Sequence, residues 1–143
     1  MSLSQAIIKA LTAVTTPFWF ANVCLPIVVL VVAQLVRATE TGALTAGADA
    51  ILAVVVFDAV AICSAQEFQD HIVSSTLQSR VVDVHVFFLM VAGLAWYAFV
   101  RWGEPVVKRE SARSAKAWVI GLSGLLVFAA LVGVHIVAYV GVG

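Results

Sequence analysis

The stretch Ala53 to Met90 reads AVVVFDAVAICSAQEFQDHIVSSTLQSRVVDVHVFFLM. An apolar run carries Asp58 within it, surfaces through Glu67, Asp70, His71 and Arg80, and returns to apolar sequence past Asp83 and His85. Two membrane-crossing segments joined by a short exposed connection give this pattern. A charged group inside hydrocarbon costs at least about 2.5–3.5 kcal/mol, even on lenient insertion scales. Asp58 must therefore be neutral, be partnered, or face a polar cavity.

The rest of the chain agrees with a membrane setting. Of 143 residues, 63% are hydrophobic and 11% are charged, against about 45–50% and about 25% in soluble domains. Four spans of about 20 residues with their connections use up this length. No room is left for a soluble catalytic domain. Eight basic and eight acidic side chains balance to zero, with no basic face of the kind that holds nucleic acid. Cys24 and Cys63 lie in apolar runs without C-x-x-C spacing and read as small membrane hydrophobes. Glycine patterns for phosphate or dinucleotide binding and a G-x-S-x-G nucleophile are absent.

The sequence predicts an all-α fold: one domain over residues 1–143, four transmembrane helices in an antiparallel bundle, and a short N-terminal interfacial helix. The spans are expected at about 17–36, 48–65, 81–102 and 117–140. In the N-terminal stretch Leu3, Ile7, Ile8, Leu11 and Val14 recur at helical spacing. Pro26 should kink the first span, with Asn22 one turn earlier beside the freed carbonyl. Residues 37–47, polar and small, read as a loop. In the second span Gly47, Ala50, Ala61 and Ala65 share the face of Asp58, and in the fourth Ala117, Gly121, Gly124 and His135 lie close to one stripe. Small residues let helices approach closely, so both faces should meet protein. Arg101, Lys108, Arg109, Arg113 and Lys116 make up five of the eight Lys and Arg residues, around loop 103–116. The positive-inside rule makes that loop cytoplasmic and places both termini and the 66–80 connection outside.

On this topology all three histidines, with Glu67, Asp70 and Asp83, fall toward the outer leaflet. His85 and His135 come to nearly equal depth on neighbouring spans. Neutral imidazoles so placed suit axial ligation of haem b, making them candidate cofactor-binding residues. Glu67 and His71, at i and i+4, joined by His85 or His135, give a mixed nitrogen and oxygen set for a transition metal. Asp58, Asp83 and Asn22 are the intramembrane polar residues. Asp58 is expected to partner a histidine or hydrogen-bond at a helix contact, and His135 to find a carboxylate, carbonyl, cofactor or neighbouring chain.

Three functions are compatible with these residues. One is a small, non-catalytic integral membrane subunit of a larger complex or homo-oligomer, with bound lipid. The second is an electron-transfer subunit holding haem b, a metal or quinone at the outer-leaflet histidines. The third is a proton or ion conduit centred on Asp58.

Overall fold

A computed structural model describes residues 27–28, 30–32, 41–70 and 78–140. Most of the expected first span, the N-terminal interfacial helix, Asn22, Pro26, Cys24 and His71 lie outside the described residues. Those that are described are all-helical, with no strand among them. The order is α1 (Gly42–Cys63), α2 (Ala65–Gln69), α3 (Val81–Ala98), a π-helical turn (Phe99–Gly103), α4 (Glu104–Arg109) and α5 (Ala115–Val140).

Three of the helical stretches are long and apolar enough to cross a membrane: Gly42–Cys63, Val81–Arg109 and Ala115–Tyr139. The outward sides of the second and third carry Phe87, Met90, Leu94, Leu126 and Ile136, each more than half exposed. Surfaces of that kind suit lipid, and this is an integral membrane protein.

Helix α1 is the central element, packed along both α3 and α5, whereas α3 and α5 touch each other much less. One offset of 77 residues relates Leu44 to Gly121, Gly47 to Gly124 and Asp58 to His135, so α1 and α5 run parallel. Helix α3 runs against both, pairing Asp58 with His85 and Ile51 with Ala92. Glycine is needed at the crossing of α1 and α5: a Cβ on Gly47 would lie 2.7 Å from the backbone of Gly124, and one on Gly121 would lie 3.0 Å from the carbonyl oxygen of Leu44. Ala117, Gly121, Gly124, Leu131 and His135 are all buried on one side of α5, as the small-residue stripe predicts.

Three apolar layers fill the interior. Leu44, Val107 and Ala117 close one end. Ile51, Val54, Ala92 and Leu131 form the middle. Ala61, Phe68 and Val81 close the α2 end.

Two boundaries differ from the sequence reading. Residues 37–47 read as a loop, but α1 already begins at Gly42, because Leu44 and Gly47 pack against α5 and tertiary packing overrides the local polarity. The expected loop 103–116 is also shorter, since helix continues to Arg109. Pro105 has no N–H to return to the preceding turn, and the chain absorbs this by widening Phe99–Gly103 into a π turn before α4. Only residues 110–114 connect α4 to α5. With α1 starting earlier, Asp58 lies five residues before the helix ends at Cys63, nearer the α2 end than mid-span.

Candidate metal centre

Asp58 on α1, His85 on α3 and His135 on α5 meet in one place, all three buried. Each helix delivers its residue from its protein-facing side. Asp58 follows Val54 and Ile51 along the buried stripe of α1. His85 lies between Val81 and Phe88 on the buried stripe of α3. His135 is one turn beyond Leu131 on α5.

A single oxygen joins the group. Asp58 Oδ1 is 2.6 Å from His85 Nδ1 and 2.9 Å from His135 Nε2. The outward nitrogens are held as well: His135 Nδ1–H donates to the Leu131 carbonyl at 2.7 Å, and His85 Nε2 lies 2.8 Å from the Tyr139 hydroxyl. A carbonyl only accepts, so the Leu131 contact fixes a hydrogen on Nδ1 of His135, and the Nε2 contact with Asp58 Oδ1 then carries a second hydrogen, shared between the ring and the carboxyl. With Nδ1–H of His85 donating to Asp58, the Tyr139 O–H donates to its Nε2. Asp58 Oδ2 has no hydrogen-bond partner among the described residues. Leaving a buried acceptor unmet costs about 1–3 kcal/mol.

Aromatic rings wall the cluster from the rest of the interior. Phe88 lies 4.3 Å from the His135 ring, and Phe57 meets both imidazoles edge-on at 5.9 and 5.8 Å. Phe68, brought by α2 and only 1% exposed, stands 6.1 Å from His85 and 5.5 Å from Phe57. Water is kept away on these sides, which strengthens electrostatic contacts within.

One imidazole nitrogen from each histidine and a carboxylate oxygen lie within 4.8 Å of one another. Metal–donor bonds of about 2.0–2.2 Å place donors roughly 3–3.5 Å apart, so small side-chain shifts admit an ion.

The candidates named from the sequence separate here. His85 and His135 come together, and Asp58 is the group that joins them. Asp83 is exposed on the first turn of α3 and Glu67 is exposed on α2, and neither belongs to the group of donors formed by Asp58, His85 and His135. His71, expected with Glu67 and His85, lies outside the described residues. Haem ligation by His85 and His135 does not fit this arrangement: a flat macrocycle must separate two axial nitrogens, and here one carboxylate oxygen touches both. Sequence reasoning missed Tyr139. Its position four residues after His135 puts it on the same side of α5, which was the available signal.

The chain matches no protein-family model, no curated protein and no solved structure, so its function is read from this geometry alone.

Proposed function

We propose that this protein binds a divalent first-row transition-metal ion within the membrane, at Asp58, His85 and His135. The observation carrying this reading is that each imidazole turns one nitrogen to the shared centre while a separate group holds the other from behind. Metal-binding histidines are oriented this way, by an outer carbonyl, carboxylate or hydroxyl. Two imidazoles and one carboxylate suit zinc, copper, iron or nickel more than the hard cations, which favour all-oxygen sites.

The conduit reading is less well supported. A proton or ion path needs polar groups on both sides of Asp58, yet below it α1 packs through Val54 and Ile51 against Ala92 and Leu131, and then through Gly47 against Gly124.

Around this centre we propose the four-span topology, with a first span at 17–36, termini outside, and association with other membrane subunits or copies of itself. Native mass analysis in mild detergent reads partners, copy number and retained metal together. The deciding experiment strips the purified protein with a chelator and titrates it with zinc, copper, cobalt and nickel. One ion per chain is expected, with binding lost in Asp58→Asn. A wild-type chain that takes up none of these ions, or an Asp58→Asn chain that binds as well as wild type, sinks the proposal.

A further inference from the structure

We infer that Tyr139 is the positioning residue of this centre: its hydroxyl fixes the His85 ring so that Nδ1, not Nε2, faces the shared donors. An imidazole on a rotatable side chain can present either nitrogen, and the two histidines here present different ones. His135 offers Nε2, with Nδ1 tied to its own helix through the Leu131 carbonyl. His85 offers Nδ1 to Asp58 at 2.6 Å, and its Nε2 meets no carbonyl of α3 but the hydroxyl of Tyr139 on α5, at 2.8 Å. One side chain of α5 therefore orients a ligand carried by α3.

The geometry is over-determined for a packing contact. Tyr139 and His135 are one turn apart on α5, the Tyr139 and His85 rings cross at 73° with centroids 5.7 Å apart, and Phe57 lies against both. A ring flip of His85 would turn carbon toward Tyr139 and leave the hydroxyl without this partner in an aromatic surround. The hydroxyl also serves both states of the site. It donates to Nε2 while Nδ1–H donates to Asp58; when Nδ1 binds an ion, the ring hydrogen resides on Nε2 and the same oxygen accepts it. Tyr139 is on the far side of His85 from Asp58 and acts through the imidazole.

Ring orientation stands on the contacts themselves, and ligation through Nδ1 rests on the metal reading. Nitrogen-15 NMR of the histidine rings in the full chain, in lipid nanodiscs with and without zinc, separates the two. Without zinc, wild-type His85 should show a hydrogen-bonded, unprotonated Nε2, and Tyr139→Phe should move that signal while leaving His135 in place. With zinc, the coordinated nitrogens should be Nδ1 of His85 and Nε2 of His135, and Tyr139→Phe should weaken zinc binding on the order of 10–100-fold. Unchanged His85 signals in metal-free Tyr139→Phe overturn the positioning role, as does a wild-type His85 whose Nε2 shows no hydrogen bond, a measurement that needs no variant to fold. Coordination through Nε2 of His85 overturns the assigned nitrogen. No zinc-induced shift at either histidine removes zinc as the ion and the ligation step with it, while the metal-free spectra still decide what Tyr139 does.

Discussion

Asp58 is the most constrained residue, because one of its oxygens serves two imidazoles while the other has no partner among the described residues. Replacing His135 by Phe keeps a ring of similar size beside Phe88 and removes both nitrogens. The expected outcome is a chain of unchanged helix content that no longer binds zinc in a calorimetric titration. Unchanged binding would show that His135 only packs. The juxtaposition was partly readable in advance. An acidic residue in an apolar run demanded a partner, and the depths of His85 and His135 placed them together. What could not be read was which atoms meet. The rotation of α3 about its own axis decides whether His85 or the nearby Asp83 faces inward, and that rotation is set by packing of Val81 and Phe88, not by the charge pattern.

At the scale of elements, the α1–α5 crossing and the α2 cover make separate predictions. Gly47→Ala places a methyl within 2.7 Å of the Gly124 backbone, which cannot yield as a side chain can. Overpacking of this kind costs about 1–3 kcal/mol. Thermal unfolding in detergent should show the loss. Gly93 and Gly133 have nothing within 4 Å of an added Cβ, so alanine there should be neutral or slightly stabilising through helix propensity. Equal losses at all three positions would refute the packing argument. Phe68→Ala opens the cluster on the α2 side, and a bound ion should then pass to an external chelator faster than in wild type. An unchanged release rate would show that Phe68 does not limit access. The small-residue stripe of α5 was legible because glycine and alanine at helical spacing have few other uses in a membrane span, whereas of the α1 set only Gly47 and Ala61 are buried with Asp58, Ala50 being half-buried and Ala65 lying on α2. The continuation of helix past Gly103 was not, since Gly103, Pro105 and the charges after them all carry the local signature of a loop.

Across the whole molecule, charge is distributed unevenly along the bundle axis. Arg101, Lys108, Arg109, Arg113 and Lys116 are exposed around the α4–α5 connection, and Glu67, Asp70 and Asp83 are exposed at the opposite end. Cysteine placed at Ser111 should therefore be labelled only from the cytoplasmic side and cysteine at Thr76 only from the outside; labelling of position 111 from outside would reverse the orientation. The parallel pairing of α1 with α5 has a consequence for synthesis. Asp58 leaves the ribosome 27 residues ahead of His85 and 77 ahead of His135, so for a time it belongs to an inserting helix that lacks both partners. Release of α1 into lipid by itself would expose the carboxyl to hydrocarbon, whereas entry together with α3 as a hairpin gives it His85 at once. A nascent chain ending after Arg109 should then integrate α1 fully, while one ending soon after Cys63 should integrate it less well and be rescued by Asp58→Leu. The late arrival of α5 makes it the helix that completes the centre, so the site comes into being only when the last described span is in place.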